Sequence, residues 1–495
     1  MPRDGDAYLK CISNDGRDVR HFGEKIRDVT THPQFRNSVA SYAALYDFQC
    51  LPENLERMTF ESPDSGDRVN RAWFCPRSYE ELIIRREAMV SWNELHYGFL
   101  GRSPDHVAST MAGLYMGLDT FEHYDPVRAG ALADYYRYAR DNDLFLTYTI
   151  INPQGDKTRQ AHDQPDEFMT MRVLDRDPQG IVVKGAKMLG TSCLMADEVF
   201  VSCIQPLGNG DEPYAVSCVV PMNAEGLTLM SRKSYEGAAH SVFDNPLSSR
   251  YDENDALLYF DEVKIPWERV FVVDDPEMCQ RQFHDTPCYR FEEYQAIVRL
   301  MVKLRFLVAL ARRITEVNGT VAIPSVRETL GELASEAATV EAFVKAIEVN
   351  GGLDHNGYYV PDLAMITTAQ VVTQRMYPRL IAEIRNLAGG GMIMLPSGIE
   401  DFEDPQLRSY IHATQKSPLV DPFDRVKFFK LAWDAVGSEF ASRHTQYEMF
   451  YAGAMFVLKN HAYSAFDWDQ GRSMLDRLLS SYDLEGERPA PSAQK

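Results

Sequence analysis

No basic stripe, no long apolar run and no nucleotide-binding fingerprint interrupts this 495-residue chain, and each absence excludes a class of function. A formal net charge of −21 with nothing basic to offset it would repel a phosphate backbone, so nucleic acid is not an expected partner. The apolar stretches fall short of the ~20 residues that span a bilayer, so no membrane segment is expected. The start, Met1-Pro2-Arg3-Asp4-Gly5-Asp6, lacks the apolar centre of a secretory leader, which points to a cytoplasmic protein. The eight cysteines form no C-x-x-C pair; they read as reduced thiols, and no metal site is expected. There is no G-x-G-x-x-G, since Gly389-Gly390-Gly391 runs into Met392, and neither a Walker A segment nor H-E-x-x-H is present. If the protein does redox chemistry, its reducing equivalents do not arrive on a nicotinamide held by a Rossmann unit.

What is present is an ordinary globular composition, 45% hydrophobic and 25% charged, on a chain longer than one core usually supports. The periodicity changes twice. After a short hairpin over residues 16–30, a helix-rich stretch runs to about Leu146; Ser78-Tyr79-Glu80-Glu81 caps a helix in which Leu82, Met89 and Trp92 recur at helical spacing. From Asn152 to about Phe271, β-rich segments at Gly180–Val183, Glu198–Ile204, Tyr214–Val220 and Ala256–Val263 alternate with turn residues. Beyond Pro287 the helical period returns. One stripe of Ile297, Leu300, Leu304, Leu307, Ala311 and Ile314 stops at Asn318-Gly319; Ser325-x-x-Glu328 opens a second helix ending at Asn350-Gly351-Gly352; Leu363–Ala388 and Arg425–Met449 complete a four-helix set before a short polar tail after Tyr482. The reading is α+β, mostly α, with an N-terminal helical domain over 1–150, a β domain over 151–275 and a C-terminal bundle and tail over 276–495.

Two segments carry chemistry. In Gly101-Arg102-Ser103-Pro104-Asp105-His106, Pro104 suits the first turn of a helix, whose N-terminus with Arg102 favours an anion. His106, one turn in, has an ordinary pKa of about 6.5 and would exchange a proton near neutrality. Tyr148, with an ordinary value of about 10, suits hydrogen-bond donation better than base catalysis. It leads into Asn152-Pro153-Gln154-Gly155-Asp156-Lys157, a polar turn at the junction of the helical and β regions, where ligands often bind. A surface arginine, a structural histidine, a core tyrosine and a plain connector are the ordinary readings of these residues.

Several ordered segments give the chain a resemblance to a known family: Thr30-Thr31-His32-Pro33-x-Phe35-Arg36-Asn37, Gly101–Asp105, Asn152-Pro153-Gln154, Gly185-Ala186-Lys187, Asp244–Glu253, Ile265-Pro266-Trp267-Glu268 and Trp433–Phe440. Over roughly residues 6–484 it resembles the 4-hydroxyphenylacetate 3-hydroxylases, two-component monooxygenases that use reduced flavin. The resemblance implies an acyl-CoA dehydrogenase-like fold, with N-terminal helices, a central β-barrel and a C-terminal four-helix bundle, assembled as a homotetramer or homodimer. It implies FAD, used as FADH2 and delivered by a separate NAD(P)H:flavin reductase. It also implies O2 and a phenolic substrate, hydroxylated beside its hydroxyl through a flavin C4a-hydroperoxide. Carried over residue by residue, Arg102 matches the arginine that supports flavin and phenolate. Gln154, Gly155, Asp156 and Lys157 match a flavin-contacting turn in which Lys157 replaces the usual arginine, and Thr191 matches a threonine beside the flavin ring. Ser202, Ile204 and Gln205 fall at the substrate-facing strand end.

The chain departs from the pattern at its two proton-handling rings. Family members acting on 4-hydroxyphenylacetate have tyrosine where this chain has His106 and histidine where it has Tyr148. The expectation is that the roles are exchanged too, with His106 the base or hydrogen-bond partner of the substrate hydroxyl and Tyr148 nearer the flavin. Two alternatives share the fold. A flavin and iron–sulfur dehydratase would want thiolate ligands where Phe99 and Ser103 stand, and an acyl-CoA dehydrogenase would want a carboxylate base that no matching segment identifies. A non-catalytic scaffold is the third reading.

Overall fold

The computed structural model describes residues 2–153 and 155–482; Gln154 and the polar tail beyond Tyr482 lie outside the described residues. The opening hairpin forms as expected, β1 (Asp18–His21) against β2 (Glu24–Ile26). The Tyr79–Leu95 helix, α1, starts where Ser78 Oγ accepts the Glu81 N–H at 3.2 Å. Glu81 reaches back one residue beyond the usual capping box, accepting the Arg77 N–H at 2.6 Å. Pro104 takes the first position of α2 (Pro104–Met116), where its missing N–H costs nothing, and α3 (Pro126–Asp141) follows.

The two main sheets are six-stranded and four-stranded, beside two small two-stranded ones. The larger contains β1, β2, β4 (Arg172–Asp177), β5 (Gly180–Thr191), β7 (Leu227–Ser231) and β8 (Asp255–Pro266). The smaller runs Val270–Val273, Val216–Pro221, β6 (Glu198–Val201), β3 (Leu146–Thr149). Both sheets therefore recruit strands from the leading helical segment: β1 lies parallel to β7, and β3 lies parallel to β6 with Tyr148 opposite Phe200. Sequence periodicity located the hairpin, β5, β6, Val216–Pro221 and β8, but not β3, β4, β7 or Val270–Val273, nor these non-local pairings.

The C-terminal helices include α4 (Cys288–Asn318), α5 (Pro324–Val349), α6 (Leu363–Ala388), α7 (Pro422–Val436) and α8 (Glu439–Phe450), with Pro276–His284, Pro405–Thr414, Met455–Ala465 and Trp468–Ser480 around them. The predicted stripe on α4 is buried throughout, and Gly319 ends the helix with φ 74°, a left-handed conformation that glycine adopts without a Cβ penalty. Two local expectations are corrected. Ser325 is not a cap, because Pro324 already occupies the first helical position behind Ile323. The helix expected over Arg425–Met449 is two: Gly437 ends α7, and Ser438 Oγ accepts the Ala441 N–H at 3.1 Å to start α8. No described helix is long and apolar enough to cross a membrane.

Two buried apolar clusters meet at the start of α2. Phe99 and Leu100 belong to one, with α4 and the larger sheet; Val107, Ala108 and Met111 belong to the other, with α3 and the smaller sheet. The intervening Gly101–His106 segment crosses the seam, so its polar side chains are buried among elements from every part of the chain.

Candidate active site

Gly101 makes this crossing possible, because a Cβ there would lie 2.7 Å from the Tyr447 ring on α8. Arg102 follows, only 8% exposed. Its N–H donates to Glu253 Oε2 at 2.8 Å, Nη1 donates to Tyr447 Oη at 2.7 Å, and Nη2 donates to Tyr148 Oη at 2.8 Å. Burial disfavours the charged guanidinium, but Tyr148, Tyr447, Glu292 and Glu253 together more than offset this and keep it a cation.

Arg102 Nη1 also lies 2.8 Å from His106 Nε2. A guanidinium has no acceptor, so Nε2 must accept and the ring proton must reside on Nδ1, which is buried without a protein partner. Burial, then Arg102 and Arg299, push the His106 pKa well below its ordinary value. The ring expected to exchange a proton near neutrality is thus held neutral, with one N–H free to donate to a ligand. Tyr148 stacks on it, centroids 5.3 Å apart at 13°, and donates its own proton to Glu292 Oε1 at 2.9 Å. Burial pushes the Tyr148 pKa well up, so this phenol stays protonated.

The flavin-side residues are tied to the same network. Thr191 Oγ1 donates to Asp255 Oδ1 at 2.6 Å, and Arg443 of α8 donates to Asp255 through Nη2 and Nε at 2.5 and 3.0 Å while its Nη1 pairs with Glu253. Burial opposes ionisation of Asp255, but Arg443 and Arg232 outweigh it and hold the carboxyl well below the usual range. Thr147 Oγ1 reaches the Thr191 carbonyl at 2.5 Å and Thr149 Oγ1 the Met188 carbonyl at 2.8 Å, so β3 holds Tyr148 beside the end of β5. Lys187 of β5 is fully buried with two neutral acceptors, Asn152 Oδ1 at 2.7 Å and the Ser202 carbonyl at 2.8 Å, and burial lowers its pKa.

Other expected residues stand apart from this cluster. Gly155 is half-buried; Asp156 and Lys157 are exposed, with Asp156 bonded to Thr158. Ser202 Oγ accepts from Gln282 Nε2 at 2.8 Å, Ile204 is half-buried, and Gln205 is exposed; no hydrogen bond joins any of the three side chains to Arg102. Sequence reasoning missed Tyr447, Glu253, Arg443 and Glu292. Glu253 lay in the polar Asp244–Glu253 segment, and Glu292-Glu293 was visible as an acidic pair interrupting a buried helical run. Arg443 and Tyr447 carried no local signal. Among the described residues, His240, Asp244 and Glu400 bring ligand-type atoms within 4.8 Å of one another, but Lys430 Nζ already pairs with Asp244 at 2.8 Å.

An archaeal 4-hydroxybutyryl-CoA dehydratase superposes with a TM-score of 0.87 at 19% identity, over 99% of this chain and 97% of that one, a likeness of fold alone. Here Phe99 packs against Phe306, Phe440 and His444, Ser103 Oγ is bonded to Asp105, and all eight cysteines are free, so the thiolate set that an iron–sulfur site favours is not assembled.

Residues 4–272 match the 4-hydroxyphenylacetate 3-hydroxylase N-terminal family model, and residues 279–480 match its C-terminal counterpart. The chain belongs to the 4-hydroxyphenylacetate 3-hydroxylase family. It is 34% identical to the 4-hydroxyphenylacetate 3-monooxygenase oxygenase component of Geobacillus sp. (strain PA-9), covering 92% of each chain. It is also 34% identical to the 4-nitrophenol 2-monooxygenase oxygenase component of a Rhodococcus species, over 98% of this chain and 93% of that one. The crystal structure of a 4-hydroxyphenylacetate 3-monooxygenase oxygenase component complexed with FAD and 4-hydroxyphenylacetate superposes with a TM-score of 0.92 at 31% identity, covering 97% of this chain and 98% of that one.

Proposed function

We propose that this protein is the oxygenase component of a two-component, reduced-FAD-dependent monooxygenase that adds a hydroxyl beside the existing hydroxyl of a phenolic ring. The observation that carries this is the coordination of Arg102. A buried guanidinium already holds two phenol oxygens, those of Tyr148 and Tyr447, at 2.8 and 2.7 Å. The same donors suit the oxygen of a substrate phenol, and a fixed cation favours its ionised form in a buried setting.

The residues present fit a flavin. Among the described residues, His106 Nδ1–H is a buried donor with no protein partner, Lys187 is buried against neutral acceptors with no paired carboxylate, and the Thr191 hydroxyl is fixed by Asp255. Arg102, Tyr148, Thr191 and the Gly155–Lys157 segment would hold it; Gln154, expected beside them, lies outside the described residues. Bound reduced FAD would supply the electrons and the activated oxygen. The chain's own residues do the rest. Arg102 orients the phenol oxygen and neutralises its charge, Tyr148 and His106 present a flat stacked wall, and burial keeps water away. Reduced FAD would come from a separate flavin reductase. Ser202, Ile204 and Gln205, further along the chain from β6, are proposed as contacts to the distal part of the substrate.

The experiment is a product screen over phenols with reduced FAD regenerated by an added reductase under 18O2. Incorporation of one labelled oxygen ortho to a phenol hydroxyl supports the reading. Oxidation of reduced flavin with no labelled product from any phenol would overturn it.

A further inference from the structure

The proposed chemistry needs a place for the phenol's proton, and neither His106 nor Tyr148 offers one by itself. His106 Nε2 is already taken by Arg102, and Tyr148 carries its own proton. Beyond Tyr148 stands a carboxylate pair on α4. Glu292 Oε1 accepts the Tyr148 hydroxyl at 2.9 Å, and neighbouring Glu293 has one oxygen buried without a partner. The side chains are 6% and 3% exposed, on a helix whose flanking turns are apolar core. Burying two adjacent carboxylates is costly unless one or both can hold a proton.

We propose that Glu292 receives the substrate's proton through Tyr148, acting as a positioning and proton-storing residue behind the ring that meets the phenol. The inference rests on the proposed phenol hydroxylation. In the step, the phenol O–H breaks as its proton moves to Tyr148 Oη, while the Tyr148 O–H breaks as its proton moves to Glu292 Oε1. No electrons change centre. Tyr148 ends neutral, Glu292 ends as a carboxylic acid, and the negative charge passes from Glu292 to the phenolate beside Arg102. The buried net charge is unchanged, so the phenolate forms without crowding a second anion against Glu293. Without such a relay, ionising the phenol would place a new charge in a site of low dielectric.

Groups on several elements face the pair. Arg102 and Tyr148 draw Glu292 toward ionisation from the turn before α2 and from β3, while burial dominates and raises its pKa. Burial and then Glu292 push Glu293 up to about 8, against Gln370 on α6 and the cations Arg102 and Arg299. Cys288 and Tyr289 on α4 sense the pair, as does Tyr451 beyond α8, while His106 and Tyr447 face it only through Arg102. Among these groups Glu292 alone accepts a hydrogen bond from Tyr148.

The test uses Glu292→Gln, whose amide oxygen still accepts from Tyr148 but cannot store a proton, and Glu292→Asp, which restores the acid. Infrared pH titration of the flavin-free protein should show a carboxyl, absent in Glu292→Gln, protonating above the ordinary carboxylate range and shifted in Tyr148→Phe. No such carboxyl, or one indifferent to Tyr148→Phe, would overturn the proposal. Calorimetry of 4-nitrophenol binding in two buffers of different ionisation enthalpy, below the probe's own pKa, should show no proton released by the wild type. Glu292→Gln should release one proton per probe bound or bind at least tenfold more weakly, with Glu292→Asp returning toward wild type. Identical proton release and affinity in wild type and Glu292→Gln would refute the relay. If the wild type bound no phenol, the proposed function would fail instead, and the infrared titration would still decide Glu292. In turnover with reduced FAD, Glu292→Gln should be slower by about 100-fold with unchanged flavin affinity.

Discussion

Two buried ionic clusters hang from the same helix, α4, about two turns apart, and they are built on opposite principles. At Arg299 and Lys303 two cations are matched to one carboxylate: both Arg299 terminal nitrogens pair with Glu448, and Lys303 Nζ lies 2.9 Å from the same group. Burial resists ionisation of Glu448, yet the two cations outweigh it and draw the carboxyl down to about 2. At Glu292 the charges are left open. Arg102 is shared among two phenols and an imidazole, Glu292 is held above its ordinary range, and His106 Nδ1 has no partner. The first cluster joins α8 to α4 through direct ion pairs. In the proposed function a phenol and a flavin take up the donor that the second leaves open at His106 Nδ1.

The largest effect should come from breaking the matched cluster. Glu448→Gln leaves Arg299 and Lys303 buried without a counter-charge and should cost about 3–5 kcal/mol of stability, read by denaturant unfolding. The sign with pH follows. Glu448 titrates lower in the folded chain than the ~4.3 of an unfolded glutamate, so its contribution is present above that value and is lost as pH falls toward about 2. Glu448→Gln should therefore flatten this part of the acid-unfolding curve; an unchanged curve would show that the pair carries no stability.

Arg102→Lys tests the open cluster. It keeps the charge but loses the planar fork, and should lower hydroxylation by about 100-fold or more while unfolding close to wild type. A stability loss equal to that of Glu448→Gln would erase the contrast between the clusters. His106→Phe removes the acceptor for Arg102 Nη1 and the free donor. It should lower labelled-product formation by about tenfold, roughly the cost of one buried hydrogen bond, with reduced-FAD binding retained in a fluorescence titration; unchanged turnover would remove His106 from the mechanism. The smallest effect is expected at Arg443→Lys. Freeing Asp255, and through it Thr191, should weaken reduced-FAD binding by a few-fold, about 1 kcal/mol, and leave the phenol dependence of turnover alone.

The sequence made the helical architecture readable because its signals are local. Pro104 marks a helix start, Gly319 a stop, and the α4 stripe a buried face. It was less informative at the Gly437-Ser438 break, where the apolar period continues across two helices. For the site, Arg102, His106 and Tyr148 stood out because polar groups at a predicted junction are unusual. Their partners did not, because Tyr447 lies 345 positions from Arg102 and Glu292 lies 144 from Tyr148. Side chains so distant in sequence meet only after α4 and α8 pack, and neither the direction of Tyr148's proton nor the neutral state of His106 can be inferred before that packing is known.

The central claim is that Arg102 stabilises a substrate phenolate, and the visible absorbance of bound 4-nitrophenol tests it most directly. At a pH where the free probe is neutral, the wild type should bind it as the yellow phenolate, and Arg102→Gln should bind it weakly and without colour. A probe that stays neutral on the wild type, with the same affinity for Arg102→Gln, would contradict the account.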